Sequence, residues 1–202
     1  MVEISNLKVY DLRESVIACR NAMRVYSPEY SYVEFNDSLK RAIALAKSPS
    51  NSGHPNFLKG IRVSFDLKYP NYFTPELQRY SFIDIVCSSS KMHKLLVMAD
   101  KSECYNKYVL PETINRMRKL VTEYNVVCDT GDREDQYYAF MRVLSNCPLG
   151  IELFMRISTN YMQLRNIYHQ RENHKLQEDW GAFCKMIRSL PYFAEFINPS
   201  SD

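Results

Sequence analysis

Between positions 61 and 68 the chain alternates without a break. Ile61, Val63, Phe65 and Leu67 are separated by Arg62, Ser64, Asp66 and Lys68. A period of two places one face of a strand on a core and the other in polar surroundings. Pro70, which has no N–H to give to a ladder, closes this strand. The opening VEISNLKVYDL mixes β-branched and polar residues in a second strand-like run. The rest reads as helix. RESVIACRNAMRVY turns Val16, Cys19, Ala22 and Met23 to one side, and Asn36-Asp37-Ser38 supplies an N-cap for a helix through LKRAIALAK that ends in the loop SPSNSGHPN. Thr74 opens a further helix with Pro75 and Glu76 in its first turn.

Downstream, LPETINRMRKLVTEYN repeats apolar residues at Ile114, Met117, Leu120 or Val121, and Tyr124, a helical period. DTGDREDQ is expected to be an exposed turn, after which helix resumes at QYYAFMRVL, pauses at Asn146-Cys147-Pro148 and runs from about Leu149 to Arg171. A last helix from about Leu176 to Leu190 turns Trp180, Phe183 and Ile187 inward and stops before Pro191. No repeat or linker divides the pattern. It predicts one domain over residues 1–202, helix-rich α+β with a small, mostly antiparallel sheet.

Composition narrows the class. With 202 residues and 46% hydrophobic content the chain can bury a substantial core. Its 26 basic and 23 acidic residues are dispersed, so it carries no electrostatic footprint for duplex nucleic acid. There is no apolar run of membrane-spanning length and no signal-like start, which predicts a soluble, cytoplasmic protein with no membrane partner. The six cysteines are scattered without a C-x-x-C pair and read as reduced, mostly core, residues. The four histidines do not fall at ligand spacing with them, so no metal site is expected.

Candidate chemistry lies in three stretches. Arg79 offers a planar fork of donors with a permanent charge, suited to a phosphate or pyrophosphate, or to an ion pair at the surface. Ser88, Ser89 and Ser90 with Lys91 combine short hydroxyls, adjacent N–H groups and a cation; they read equally as an anion cradle or as a polar turn. No G-x-S-x-G elbow surrounds Ser89, which argues against a serine hydrolase. In TNYMQLRNIYHQR, Asn160 and Arg171 are eleven residues apart and return to nearly the same helix face, either as a site wall or as a solvated face.

Taken together, the order and spacing of these stretches resemble the flavin-dependent thymidylate synthases (ThyX). Arg79-Tyr80-Ser81 followed by Ser89 resembles that family's R-H-R-x7-S signature, with Tyr80 and Ser81 in place of His and the second Arg. Asn160, Asn166, Arg171 and Gln177 fit its N-x5-[HN]-x4-R-x5-Q element, and Pro148 sits at the matching spacing before them. His54 fits the family's G-H-x-[ST]-x-x-E segment, where Asn56 and Lys59 replace the hydroxyl residue and the acid. Met162 stands in place of an Arg, and Asp179-Trp180 in place of Glu-Ile. The likeness covers roughly residues 50 to 197.

The resemblance implies a ThyX-like α+β fold. It assigns His54, Arg79, Tyr80, Ser81, Asn160 and Asn166 to an FAD cofactor, and Ser88, Ser89, Lys91 and Arg171 to a pyrimidine nucleotide monophosphate, with Ser89 and Arg171 at the reacting centre. It also implies NADPH and methylenetetrahydrofolate as co-substrates, methylation of dUMP to dTMP, and a homotetramer whose sites are shared between subunits. The departures from the pattern keep two alternatives open: an enzyme of this scaffold acting on another pyrimidine nucleotide, and a flavin-free nucleotide-binding protein.

Overall fold

A computed structural model describes residues 1–25, 32–49 and 52–197. The fold is helix-rich α+β with one small antiparallel sheet. Its strands are β1 (Glu3–Tyr10), β2 (Arg62–Pro70), β3 (Asp84–Ser88) and β4 (Glu152–Asn160), hydrogen-bonded in the order β1-β2-β4-β3. The helices are α1 (Leu12–Ala18), α2 (Tyr32–Ala46), α3 (Thr74–Gln78), α4 (Lys91–Asp100), α5 (Pro111–Thr130), α6 (Arg133–Asn146), α7 (Tyr161–Arg171), α8 (Gln177–Arg188) and α9 (Phe193–Ile197). A 3₁₀ segment spans His54–Lys59. The alternation at residues 61–68 is physical: Val63, Phe65, Leu67 and Tyr69 of β2 are all buried, and the polar residues between them are half-exposed.

The chain groups into two compact units. The helical-hairpin unit comprises Met1, Leu67–Arg79 and Cys87–Met155. In it α5 packs on α6, and both pack with α4 around Leu95, Ala99, Met117, Leu120, Val121 and Val143. Asp132 caps α6, its carboxylate accepting the Glu134 and Asp135 N–H groups at 2.8 and 3.0 Å. The aromatic-core unit comprises Val2–Asp66, Tyr80–Val86 and Arg156–Asp202. Trp180, Phe183 and Ile187 of α8 are fully buried there, and the buried Asp179 carboxylate accepts the Val2 N–H at 3.0 Å.

Several expectations are corrected. Residues 149–171 are not one helix: β4 occupies 152–160 and α7 begins at Tyr161. The misreading has a geometric cause, because residues 153, 157 and 161 satisfy an i, i+4 helical spacing and an i, i+2 strand alternation at once. Burial decides for the strand, with Leu153, Met155, Ile157 and Thr159 inward. The first helix ends at Ala18, and Met23, expected inward, is 84% exposed. That reading extended to Tyr26, outside the described residues, as are residues 50 and 51 of the loop after α2.

Asn36, Asp37 and Ser38 do not cap α2 but lie inside it, and Ser38 is completely buried. The turn at DTGDREDQ shrinks to Gly131 and Asp132. The cysteines are free but not mostly core: only Cys184 is buried, whereas Cys87 and Cys128 are exposed. Among the described residues no helix is long and apolar enough to cross a membrane.

Candidate functional site

The site is built where β4 hands over to α7. Asn160 is the last strand residue and the helix N-cap, and its side-chain oxygen accepts the Gln163 N–H at 3.0 Å. An Asn cap satisfies one of the orphan N–H groups of a first helical turn. Here it also leaves the Asn160 amide nitrogen as a donor at the edge of a cavity. The next residue fixes the junction, since the Tyr161 N–H donates to the Ile61 carbonyl at 3.0 Å and its hydroxyl to the Pro191 carbonyl at 2.9 Å. Burial pushes the Tyr161 phenol up, so that hydroxyl stays a donor. One turn on, the buried Arg165 donates to the Ala46 carbonyl at the end of α2. Burial pulls its guanidinium downward.

The cavity at this junction has a volume of about 420 Å³ and is lined by Lys59, Arg62, Phe82, Asn160, Met162, Gln163 and Asn166. Phe82 and Met162 supply apolar surface, the three amides supply donors and acceptors, and Lys59 and Arg62 supply charge. The Phe82 backbone is tied down by the Thr159 hydroxyl, which donates to its carbonyl at 2.8 Å, while its ring is 66% exposed. Arg62 is steadied by Asp84 at 3.8 Å and by the Ser158 hydroxyl at 3.4 Å. Apolar walls with a few convergent polar groups form the ordinary recipe for a small-molecule site. Among the described residues, none that lines it is acidic.

At the far end of α7 stands a different arrangement. Arg171, the last residue of the helix, donates from Nε to the Tyr80 hydroxyl at 2.6 Å. That hydroxyl donates in turn to the Gln170 side-chain oxygen at 3.2 Å. The guanidinium carbon lies 4.7 Å from the centroid of the Trp180 ring and 5.5 Å from that of Tyr80. The two rings meet edge-on at 6.2 Å. Below them, Gln177 donates to the His174 carbonyl at 2.7 Å and the Leu176 N–H donates to His174 Nδ1 at 3.2 Å, which closes the turn into α8. Asn160 and Arg171 are thus angular neighbours at opposite ends of one helix, about 16 Å apart along its axis.

The remaining expected site residues are dispersed. His54 is exposed at the start of its 3₁₀ segment, after Gly53 at φ 78, and faces a second cavity of about 580 Å³ that Arg20 and Arg41 also line. Gly53 suits that turn because a left-handed backbone costs it nothing. Ser81 is exposed. These residues, with Tyr80, Asn160, Asn166 and Arg171, belong to the aromatic-core unit.

Arg79, Ser88, Ser89 and Lys91 belong to the helical-hairpin unit. Arg79 and Ser88 are exposed. Ser89 pairs with Phe154, its N–H donating to the Phe154 carbonyl at 2.8 Å and its hydroxyl accepting the Phe154 N–H at 3.1 Å. Lys91 donates to the Asn71 side chain at 3.2 Å.

Sequence reasoning missed Arg62, Phe82 and Gln163 in the smaller cavity and Gln170 beside Tyr80. Arg62 was visible only as a polar position of a strand, and the others become neighbours through tertiary structure alone.

No family model matches the chain, and no curated protein matches it in sequence. Solved structures match it in fold. The chain is similar to the flavin-dependent thymidylate synthase ThyX from Helicobacter pylori, complexed with FAD and dUMP, at 13% identity and a TM-score of 0.70, over 96% of this chain and 97% of that one. A second structure of Thymidylate Synthase X (ThyX) from Helicobacter pylori, with FAD and dUMP, gives 13% identity and a TM-score of 0.67 over 98% and 97%. The scaffold is therefore ThyX-like.

Proposed function

We propose that this chain is a flavin-dependent pyrimidine nucleotide enzyme, most simply one that methylates dUMP to dTMP with methylenetetrahydrofolate and NADPH. The observation that carries the reading is the smaller cavity. Asn160 and Asn166, the two Asn of the spaced element, line it together with Lys59 and Arg62. Its residues fit a flavin: Phe82 and Met162 offer apolar contact to a ring face, the amides suit the polar edge of a heterocycle, and the two cations favour a cofactor that carries phosphates and gains negative charge on reduction. When bound, the flavin supplies hydride transfer. The chain's own part is to hold and orient it through Asn160, Asn166, Phe82, Lys59 and Arg62, with His54 and Arg79 as further contacts, and to present the nucleotide to Ser88, Ser89, Lys91 and Arg171. The assembly we propose is a cytoplasmic homotetramer with sites shared between subunits.

The visible absorption spectrum of the purified protein, with and without added FAD, tests the cofactor. A bound flavin band that changes on adding dUMP is expected, and its absence at saturating FAD removes the flavin reading. For the nucleotide, Arg171→Ala should weaken dUMP binding by about 1.5 to 3 kcal/mol and deoxyuridine binding far less, since a charge-assisted bond to phosphate is lost. Equal losses would take Arg171 out of the phosphate site.

One observation favours a second reading, a flavin-free nucleotide-binding protein. Of residues 79–81 only Arg79 is cationic, Ser81 is short and exposed, and the Tyr80 hydroxyl is engaged by Arg171 and Gln170. A protein that retains dUMP in equilibrium dialysis but takes up no FAD is the result this reading expects.

A further inference from the structure

Two of the departures from the family pattern, Tyr80 and Trp180, lie far apart in sequence, and the structure brings both onto one side chain. That side chain is Arg171, which matches the pattern. Tyr80 takes the Nε donor at 2.6 Å, and Trp180, with no solvent exposure, presents its ring 4.7 Å from the guanidinium carbon. Gln170 accepts from the Tyr80 hydroxyl at 3.2 Å, which turns that oxygen's lone pairs toward Arg171.

We propose that Tyr80 and Trp180 are positioning residues forming an aromatic clamp that fixes the Arg171 guanidinium for an anion, the phosphate of the nucleotide. The inference rests on the reading of Arg171 as the phosphate-facing residue.

The physics of the clamp is specific. A guanidinium is a rigid planar fork, and stacking on an aromatic face adds attraction that grows when water is excluded. An unrestrained arginine side chain surrenders rotamer freedom when it binds. The clamp removes part of that cost beforehand, the general benefit of preorganisation. Lysine in place of Arg171 keeps the charge but has neither the Nε–H for Tyr80 nor a plane to stack.

Trp180 is the chain's one tryptophan, so its emission reports this cluster alone. The experiment titrates wild type, Tyr80→Phe and Arg171→Lys with dUMP and, separately, with inorganic phosphate. It follows Trp180 fluorescence and measures dUMP retention by equilibrium dialysis. In wild type both anions should change the emission, with dUMP acting at lower concentration. Tyr80→Phe keeps the ring and removes the hydroxyl, and should raise the dUMP midpoint about tenfold, the size of one lost hydrogen bond to a charged group. Arg171→Lys should not restore wild-type affinity, although the charge is kept.

If dUMP is retained while Trp180 emission stays constant, or if Tyr80→Phe and Arg171→Lys bind as wild type does, the cluster is packing only. The proposal then falls while the nucleotide reading stands. If phosphate and dUMP act with the same midpoint, both weakened by Tyr80→Phe, the clamp holds and the nucleotide reading falls. No emission change with either anion overturns the clamp outright. Thermal melting of each variant separates a folding failure from a binding one. Should Tyr80→Phe fail to fold, Gln170→Ala, which removes the acceptor that orients the same hydroxyl, gives the same comparison.

Discussion

The helical-hairpin unit and the aromatic-core unit are packed from different materials. In the first, the cluster around Leu95, Met117, Leu120, Val121 and Val143 is mainly aliphatic, with Tyr105 buried in it and Tyr124, whose ring centroid lies 6.3 Å from that of Phe140, packed against it. In the second, rings meet edge to face in two series. Phe65, Phe183, Trp180 and Tyr80 follow one another at 5.7, 5.5 and 6.2 Å. Phe57, Phe196, Tyr161 and Phe193 follow at 5.6, 6.3 and 5.1 Å. Aliphatic side chains can repack at small cost, whereas edge-to-face rings have an orientation to lose. The first series ends on the residue that holds Arg171, and the second contains the residue next to the Asn160 cap. The side chains of Arg171 and Asn160 are thus held next to the packing with the most directional contacts.

That comparison is broken most easily at its strongest point. Phe183 is fully buried between Phe65 and Trp180. Phe183→Ala should destabilise by about 3 to 5 kcal/mol, through lost transfer energy and the cavity left behind. Met117→Leu in the aliphatic cluster conserves volume and should cost less than about 1.5 kcal/mol. Equilibrium urea unfolding of both variants measures the two values. Comparable losses would mean that the two cores are equally specific and that the difference in material carries no consequence.

A smaller effect separates the units by thiol chemistry. Cys87 and Cys128 of the helical-hairpin unit are exposed. Cys184 of the aromatic-core unit is buried, and desolvation pushes its thiol up to about 11. Alkylation requires the thiolate and access to it. At pH 8 iodoacetamide should reach Cys87 and Cys128 first and Cys184 far more slowly, since burial both hides its sulfur and withholds its thiolate. Peptide mapping of a time course reads this directly, and early labelling of Cys184 would show that the aromatic core opens readily.

How much of this was legible in sequence depended on whether a local period was unique. β2 and α8 were readable because their buried residues fit one period only: Val63, Phe65 and Leu67 at two, Trp180, Phe183 and Ile187 at three and four. β4 was hidden because its spacing served helix and strand alike. β3 escaped for the opposite reason: Asp84–Ser88 is exposed at every residue, so no inward face marks it. At the site, the resemblance named Asn160 and Asn166 together, and both line one cavity. The partners of Arg171 were beyond reach. Tyr80 lies 91 residues from it, and only the folded chain shows that Tyr80 and Trp180, read as losses from a motif, touch the same guanidinium.

The smallest expected effect lies on β1 of the aromatic-core unit and sharpens the comparison from the polar side. Asn6 adopts φ 48, a left-handed backbone that Asn tolerates better than most residues. There its side-chain amide donates to Asp66, while Arg156 donates to the Asn6 carbonyl at 3.1 Å and to the Asp66 carboxylate at 2.9 Å. The Asn6 hydrogen bond, and then the Arg156 guanidinium, hold Asp66 below the usual carboxylate range. A carboxylate depressed in the folded state favours folding above its unfolded value of about 3.9, and that contribution is lost as pH falls through the lower folded value. Wild type should therefore lose stability between about pH 4 and the depressed folded value. Asn6→Ala, which removes the leading cause, should flatten that loss while leaving the acid response of the helical-hairpin unit unchanged. Thermal melts of both proteins across this range decide it. Identical pH profiles would show that the left-handed Asn6 does nothing for the charge beside it.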